Sequence, residues 1–378
     1  MNYYLIAGEA SGDLHGSNLM KGLRKADPEA EFRFWGGDRM AEVGGKENLA
    51  RHYKTTSFFG VAEILRNCRT ILRQLSECKA DVDRFAPDVL ILIDYPGFNF
   101  KMARYAHSRG IRTFYYISPK VWAWKESRVK LIRRYVDRLF IIFPFETEYF
   151  RQRGIEAEYC GNPIMDSIEQ RLATISPREE FFAANSLNDR TTVAFLAGSR
   201  RSEIKSMLPF AVALANSMPD CQVVVAAVDW IERSLYDRYL QGSQVKVVFD
   251  STYALLKYSD AAVVNSGTAT LETALIGTPE VVCYRMDGFS YAVAKMFVKI
   301  GFISLVNIIM NRQVVRELIQ NEMTVANAAE ELRRILPEGE KRGPMLADYD
   351  ALRQRVGGAG ASDRFAARMV EILKSEKR

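Results

Sequence analysis

The feature that most constrains this chain is an alternation of short apolar runs with amphipathic helical stretches. The runs in the first half are apolar on both faces, and they are "YYLIAG", "FRFWGG", "VLILIDY", "TFYYIS" and "RLFIIFP". Strands of this kind, separated by helices, predict a parallel sheet that helices cover on both sides. The first half is therefore predicted to form one doubly wound α/β domain.

A second domain of the same type is predicted after a break in the pattern. Gly161, Asn162 and Pro163 interrupt secondary structure as an interdomain hinge does, which assigns the first domain to 1–163. The alternation restarts in "TVAFLAG", "QVVVAA", "VKVVFD", "AAVVNSG" and "EVVCYR", and the pattern is helical from about Gln313. We expect a second doubly wound domain over 164–342. Candidate chemistry is expected beyond the carboxyl ends of the strands, in a cleft where two facing sheets bind ligands.

Composition excludes several classes of protein. With 48% apolar and 26% charged residues, the 378-residue chain has the make-up of a globular protein and not of a disordered one. Its five cysteines include no C-x-x-C pair, so we predict neither a disulfide framework nor a zinc site, and expect a reducing cytoplasm. The first residues lack a signal pattern, and no apolar run reaches the roughly 18 residues of a membrane span. A net charge of +6 alone does not distinguish anionic lipid from nucleic acid.

Two loops of the second domain are candidate phosphate sites. In "FLAGSRRSEI" a strand is followed by Gly198, Ser199, Arg200 and Arg201 and then by a helix. Free backbone N–H groups and guanidinium groups at such a turn attract anions. The alternative is an ordinary turn with solvated arginines.

The second loop, "VVNSGTATLE", opens a helix in the same way with Ser266, Gly267 and Thr268. Glu272 lies about one helical turn further on and is expected to accept hydrogen bonds from a ribose. A simple helix cap is the alternative. The two loops together favour a nucleotide diphosphate as the ligand of this domain.

The loop "GEASGDLHGSN" at 8–18 follows the first strand of the first domain. It lacks the G-x-G-x-x-G spacing of dinucleotide-binding loops, and its two carboxylates repel phosphate. Carboxylates pair well with sugar hydroxyl groups. We therefore assign Glu9, Ser11, Asp13 and His15 to a hydroxyl-rich ligand.

Asp94 ends a buried strand in "LILIDYPGFNF" and is a candidate general base, because partial burial raises the pKa of a carboxyl group. The alternative is that its carboxylate caps the next helix. The two D-x-D matches, Asp81 with Asp83 and Asp348 with Asp350, fall in polar helical stretches. No metal site is predicted.

Two segments combine aromatic residues with cations as membrane-surface proteins do. "ISPKVWAWKESRVKLIRR" contains Trp122 and Trp124 among six lysines and arginines, and "SFFGVAEILRNCRTILRQL" contains Phe58, Phe59 and Ile64 among arginines. Indole rings settle at the depth of lipid headgroups, and basic side chains favour anionic lipid. A nucleic-acid site or a solvated face for the first segment, and a core-packing helix for the second, are the alternatives.

These motifs resemble, in order, the lipid-A-disaccharide synthases of Gram-negative bacteria. The matching stretches are "GEASGDLHG", "GVAEIL", "IDYPGFN", "YYISPKVWAWKESRV", "FPFE", "GSRRSEI", "NSGTATLE" and "VVCYRM". The resemblance implies a GT-B fold, in which two facing Rossmann-like domains are followed by C-terminal helices, here 343–378, that return to the first. It also implies an inverting glycosyl transfer that uses no metal or cofactor.

The resemblance further implies substrates and site residues. The donor would be UDP-2,3-diacylglucosamine and the acceptor would be lipid X. The reaction would take place on the cytoplasmic face of the inner membrane. No nucleic acid would be bound, and the oligomeric state is left open. Asp94 and Arg200 match residues essential to the family, Asn307 matches a functionally important one, and Tyr284 in "VVCYRM" joins the UDP site. The departures from the family pattern are Asn162 for histidine, Ala197 for proline, Gly97 for aspartate and Glu280 for an apolar residue. A UDP-sugar epimerase and a non-catalytic basic module are the rival classes.

Overall fold

The computed structural model describes residues 1–55, 68–122, 126–285 and 301–375. They form two compact units, one of Met1–Asp166 with Gly357–Arg378 and one of Ser167–Val356. Within the described ranges, no helix is both long enough and apolar enough to cross a bilayer.

The first unit is built on a seven-stranded, wholly parallel sheet. Its strands are β1 (Asn2–Ala7), β2 (Glu31–Gly36), β3 (Leu49–His52), β4 (Val89–Ile93), β5 (Thr113–Tyr116), β6 (Arg138–Ile141) and β7 (Ala157–Tyr159). Its helices are α1 (Ala10–Ala26), α2 (Asp38–Gly44), α3 (Cys68–Phe85), α4 (Pro96–Ser108), α5 (Val129–Tyr135) and α6 (Pro144–Arg151). α7 (Ile164–Leu172) runs on into the second unit.

The strands of this sheet are buried on both faces, as their sequences predict. In β1, Tyr3 and Leu5 pack into one core, and Tyr4 and Ile6 pack into a second core on the opposite face. The order β3-β2-β1-β4-β5-β6-β7 reverses direction between β1 and β4. In open parallel sheets ligands bind at such a reversal, beyond the carboxyl ends of the two strands.

The second unit contains a six-stranded parallel sheet in the order β10-β9-β8-β11-β12-β13, which reverses between β8 and β11. Its strands are β8 (Thr191–Leu196), β9 (Cys221–Ala227), β10 (Lys246–Phe249), β11 (Ala261–Asn265), β12 (Glu280–Tyr284) and β13 (Arg316–Ile319). Its helices are α8 (Arg178–Ala184), α9 (Arg201–Ser217), α10 (Arg233–Leu240), α11 (Thr252–Tyr258), α12 (Thr268–Ile276), α13 (Leu305–Met310), α14 (Val325–Ile335) and α15 (Arg342–Val356).

The last helix, α16 (Ala361–Ser375), belongs to the first unit and packs against α1. Phe365, Met369 and Leu373 lie in the same core cluster as Tyr3 and Leu5. Asp166 holds the start of α16, because its carboxylate accepts the backbone N–H groups of 360, 361 and 362 at 2.5, 3.2 and 2.8 Å. α15 lies in the second unit, whereas the sequence analysis assigned all of 343–378 to helices that return to the first.

Three strands were not predicted: β3, β7 and β13. The expectation that the chain is helical from about Gln313 is wrong at Arg316–Ile319, which pairs with β12. All three are edge strands. An edge strand buries only part of its surface and needs no continuous apolar run, so the periodicity that reveals central strands is missing from them.

Candidate active site

Asp94 lies at the reversal point of the first sheet. Ala7 of β1 pairs with Ile93 of β4, so the loops that begin at Gly8 and at Asp94 emerge side by side. A side chain on Gly8 would collide with the ring of Tyr95, and this position therefore requires glycine. The first sheet thus brings Glu9 and Asp94 close together.

The backbone at Asp94 is held in an unusual conformation. Asp94 and Tyr95 both have positive φ angles, 42° and 47°. The buried Asn99 donates from Nδ2 to the carbonyl oxygen of Asp94 at 2.7 Å, and the Tyr115 hydroxyl donates to the same oxygen at 2.6 Å. Non-glycine residues with positive φ cost about 1–3 kcal/mol each and persist only where surrounding contacts enforce them.

The carboxylate of Asp94 does not cap the helix that follows it. Tyr95 is the N-cap residue of α4, the cap has no side-chain hydrogen bond, and Pro96 supplies the first turn. This removes the structural alternative considered for Asp94. The half-buried carboxylate accepts a backbone hydrogen bond from Tyr95.

The charge environment of Asp94 suits a base that works near neutral pH. Burial and the neighbouring Glu9 raise the pKa of Asp94 to about 6, while Lys120 and Arg128 pull the pKa down. Lys120 is exposed, and it forms neither a hydrogen bond nor an ion pair with the described residues. In the sequence, Lys120 lies in a predicted membrane segment. Its position beside Asp94 arises only in the fold, because the pairing of β4 with β5 brings their loops together.

Asp13 and His15, two of the four residues predicted to bind a hydroxyl-rich ligand, lack the exposed position that such a ligand needs. Asp13 is buried, and its carboxylate accepts the backbone N–H groups of Gly37, Arg39 and Met40 at 2.6, 3.1 and 3.1 Å. It therefore caps α2, and its assignment to a hydroxyl-rich ligand is corrected to a structural role. His15 is half-buried, and burial lowers its pKa to about 4, so the ring is neutral near pH 7. Glu9 and Ser11 are exposed.

The arginine loop, residues 198–201, lies at the reversal point of the second sheet, after β8. Gly198 has φ of 103°, and a side chain there would collide with Glu203. Glu203 accepts the backbone N–H groups of Ser199 and Arg200 at 3.1 and 3.2 Å. The sequence analysis expected these N–H groups to be free for phosphate, and the structure corrects this.

The guanidinium groups of the arginine loop remain the cationic part of the site. The side chain of Arg200 is 76% exposed and lies 3.3 Å from Glu203, a weak surface pair. Arg201 pairs with Glu232 at 2.5 Å. Tyr284 lies nearby, since burial and Glu203 raise the pKa of its hydroxyl while Arg200 lowers it.

The start of α12 supplies the free N–H groups that the arginine loop lacks. Gly267 is its N-cap residue, and no side chain in the described part of the chain caps the helix. Gly267 and Thr268 are exposed and Ser266 is half-buried. Uncapped N–H groups together with the helix dipole favour an anion at this position.

Glu272, one turn further along α12, is held by two residues that the sequence analysis did not consider. The hydroxyl of Tyr253 donates to Oε1 of Glu272. Arg171 lies over the ring of Tyr253, 4.8 Å from its centroid. Burial raises the pKa of Glu272, whereas Tyr253 and Arg171 lower it. Oε2 takes no part in the Tyr253 hydrogen bond.

Asn307 has no polar group left for a substrate. Its Nδ2 donates to Val315 and Glu317 at 2.9 and 2.8 Å, and its Oδ1 accepts from the N–H groups of Val314 and Val315 at 2.7 and 3.0 Å. It is fully buried, and its four hydrogen-bonding positions are all used inside the chain. The resemblance implies that Asn307 is functionally important, and the structure makes it a residue that fixes the start of β13.

Trp122 is also bound inside the protein. Its Nε1 donates to Oε1 of the buried Glu146 at 2.9 Å, and its ring packs edge-on against Phe145 at 5.0 Å. The N–H groups of Ile142 and Phe143 occupy Oε2 of Glu146. Trp122 therefore anchors the β5 loop, which corrects its assignment to a membrane surface. Phe58, Phe59, Ile64 and Trp124 lie outside the described residues.

The two parallel sheets, each with polar side chains at its reversal point, define a two-domain α/β protein of the GT-B type. A solved structure with this fold is the UDP-GlcNAc 2-epimerase of Neisseria meningitidis bound to UDP-GlcNAc. Its TM-score is 0.69 at 13% identity, with 98% of this chain and 100% of that chain covered. At this identity the likeness shows the fold alone.

Sequence comparison then gives the family. The family model described as Lipid-A-disaccharide synthetase matches residues 3–358. Lipid-A-disaccharide synthases of Myxococcus xanthus (strain DK1622) and Syntrophus aciditrophicus (strain SB) are 37% and 35% identical to the chain. Each alignment covers 98% of this chain and 97% of the relative. The chain therefore belongs to the lipid-A-disaccharide synthase family and is a glycosyltransferase. This result confirms the resemblance and the fold that were predicted from the motifs.

Proposed function

We propose that the chain transfers 2,3-diacylglucosamine from UDP-2,3-diacylglucosamine to 2,3-diacylglucosamine 1-phosphate, lipid X, with Asp94 as the general base. The products are the β-1',6-linked disaccharide 1-phosphate and UDP. The observation that carries the residue assignment is the Asp94 carboxylate at the reversal point of the first sheet, uncommitted to helix capping and with its pKa raised to about 6.

In the proposed reaction the 6-hydroxyl oxygen of the acceptor attacks the anomeric carbon of the donor. The bond between O6 and the anomeric carbon forms while the bond from that carbon to the UDP oxygen breaks, with inversion. The hydroxyl proton passes to Asp94. A positioned base of this kind contributes about 10²- to 10⁴-fold to the rate. The exposed Glu9 and Ser11, beside Asp94, are the proposed contacts for other acceptor hydroxyl groups.

The leaving UDP takes negative charge, and the second unit offers groups that stabilise it. Arg200 and the start of α12 at 266–268 are proposed to hold the diphosphate, while Glu272 accepts from the ribose. Tyr284 lies close enough to Arg200 to line the same site. Fixed charges and dipoles of this type replace the divalent cation that other nucleotide-sugar enzymes place at a diphosphate.

Both proposed substrates carry acyl chains, which favours work at the surface of a bilayer. Each CH₂ group buried from water contributes about 0.8 kcal/mol, so complete extraction of a lipid is costly. We propose a peripheral contact with the cytoplasmic face of the inner membrane through the segment that contains Phe58, Phe59 and Ile64. Trp124 is the second proposed contact.

The reaction is tested by incubating the purified protein with UDP-2,3-diacylglucosamine, with and without lipid X, and measuring UDP release and the disaccharide product. We expect UDP release that depends on lipid X and equals the disaccharide formed. A UDP-sugar epimerase would convert the donor alone, and a non-catalytic module would convert neither. Either of those results would refute the proposal.

A further inference from the structure

Trp230 is an exposed aromatic side chain that the mechanism above does not use. It lies in the loop between β9 and α10, and 66% of it is exposed. Tryptophan has a large apolar surface, so leaving so much of it in water forgoes free energy that burial would provide. An exposed aromatic ring beside a binding site offers a flat apolar surface to a ligand.

The structure fixes Trp230 against the arginine loop. Its Nε1 donates to the carbonyl oxygen of Ser199 at 3.1 Å. Two residues further on, Glu232 forms the ion pair with Arg201. The β9 loop is therefore tied to the β8 loop at two points. The polar atom of the indole is satisfied within the protein while the ring stays exposed.

The strand order places this ring at the edge of the proposed diphosphate site. β9 is the direct neighbour of β8, and β8 is the neighbour of β11, so their three loops leave the same edge of one sheet. Trp230, Arg200 and the start of α12 lie in these three successive loops. With the diphosphate held by Arg200 and the start of α12 and the ribose held by Glu272, the base is left to contact an adjoining loop.

We propose that Trp230 stacks on the uracil ring of the nucleotide. The inference rests on the proposed diphosphate site. A pyrimidine is a flat ring with a π-face, which an exposed and immobilised indole suits, and stacking of a base on an aromatic side chain corresponds to roughly 10-fold or more in affinity. The sequence signal is a tryptophan in a loop at the carboxyl end of a strand, "VVVAAVDWIER".

The experiment measures binding of UDP and of inorganic pyrophosphate to the full chain by calorimetry. Trp230→Ala is expected to weaken UDP binding about 10-fold or more and to leave pyrophosphate binding unchanged, because pyrophosphate has no base. Trp230→Phe keeps a stacking ring and is expected to bind UDP within about 3-fold of wild type. Leu72→Ala removes a 57% exposed apolar side chain elsewhere and is the matched control.

Fluorescence gives an independent reading if Trp230→Ala folds poorly. UDP is expected to quench tryptophan emission of the wild type, and the quenching is expected to disappear in Trp230→Phe although that variant still binds UDP. Unchanged UDP affinity in Trp230→Ala would overturn the proposal. Equal losses of affinity for UDP and pyrophosphate would also overturn it, because Trp230 would then only position the arginine loop. A loss of affinity confined to the diacylated donor would overturn it as well, because the ring would then contact an acyl chain.

These outcomes are separate from a failure of the proposed reaction. If wild type binds no UDP, the nucleotide assignment itself is wrong. If wild type binds UDP and forms disaccharide while Trp230→Ala does the same with equal affinity, only the stacking proposal fails.

Discussion

Asp94, the proposed general base, has surroundings that meet two opposed requirements of that role. A base must be ionised when the substrate arrives, yet its proton affinity must be high enough to take a proton from an alcohol. Burial and Glu9 raise its pKa, and Lys120 and Arg128 limit the rise. The balance leaves Asp94 ionised near pH 7 and more basic than an exposed aspartate.

The pH dependence of the reaction follows from that balance. Because the proposed base is the ionised form of Asp94, whose pKa is about 6, kcat/KM is expected to fall about tenfold per pH unit below pH 6. Glu9→Gln removes a nearby negative charge and should move the midpoint of the acid limb to lower pH. Lys120→Met should move it to higher pH. Initial rates from pH 4.5 to 8 measure the midpoints, and midpoints that do not move would contradict this electrostatic account.

Asp94→Asn removes the base and keeps the shape of the side chain. Turnover is expected to fall at least about 100-fold, the lower end of what a general base contributes. UDP affinity should stay within a few-fold of wild type, because the proposed UDP groups belong to the second unit. The control is Asp83→Asn on α3, which should retain activity. An active Asp94→Asn variant would end the assignment.

Glu280 is a carboxyl group whose buried environment disfavours its ionised form. It is fully buried in β12, and neither carboxylate oxygen has a partner among the described residues. Burial and Glu317 raise its pKa well above the ordinary value of 4.5. A carboxyl with a raised folded-state pKa is neutral in the fold and ionises on unfolding, so its contribution to stability is lost as pH rises above about 4.5.

Glu280→Gln should therefore remove a pH-dependent loss of stability. Relative to the variant, the free energy of unfolding of the wild type is expected to drop by about 1.4 kcal/mol per pH unit above pH 5, until the folded-state pKa is reached. Urea unfolding at pH 5 and pH 7 measures the difference. Glu317→Gln is the contrasting variant, because Glu317 accepts from Ile303, Ser304 and Asn307 and its loss should destabilise at both pH values. Parallel pH slopes for wild type and Glu280→Gln would refute the prediction.

Among elements, the central strands and the edge strand β10 were predictable from the sequence, and the other three edge strands, β3, β7 and β13, were not. The runs around Leu5, Ile91 and Val263 are buried on both faces, so their composition alone reveals them. β7 has only half-buried residues and lacks that signal. The loops with Asp94 and the 198–201 turn were predicted because they follow central strands.

The uses of the polar groups were less predictable. Asp13 caps α2 and Asn307 is saturated by Val314, Val315 and Glu317, and both facts depend on contacts between elements distant in sequence. The same holds for Glu146, which binds Trp122. A motif gives the residue type at a position, but only the fold decides whether its hydrogen bonds are spent inside the protein.

The contact between α1 and α16 depends on a glycine. A Cβ at Gly22 would lie 2.8 Å from the Cβ of Ala366 and 3.0 Å from the carbonyl oxygen of Ser362. Gly22→Ala is therefore expected to lower the free energy of unfolding by about 1–3 kcal/mol, the usual cost of overpacking. Gly343→Ala in α15 meets no atom within 4 Å and should be neutral or slightly stabilising. Thermal or urea unfolding measures both, and equal effects of the two substitutions would contradict the close helix contact.

For the whole molecule, membrane attachment is the property to test. Replacing Phe58, Phe59 and Ile64 with serine is expected to release the protein from anionic vesicles, because the apolar contact is lost while the fold remains. Trp122→Phe should leave vesicle binding unchanged, since this indole is bound to Glu146. Flotation with vesicles, checked by circular dichroism, measures both. If the triple variant still floats, the membrane contact lies elsewhere.

The position of α16 in the first core has a consequence for how the protein is made. Phe365, Met369 and Leu373 cover one face of the sheet whose first strand is Asn2–Ala7, yet the ribosome makes them only after the whole second sheet. Until then that sheet face has no helix over part of its apolar surface, while the second sheet is already complete. The first unit therefore completes its core later in synthesis than the second sheet, and deletion of residues 361–375 would leave that apolar surface uncovered.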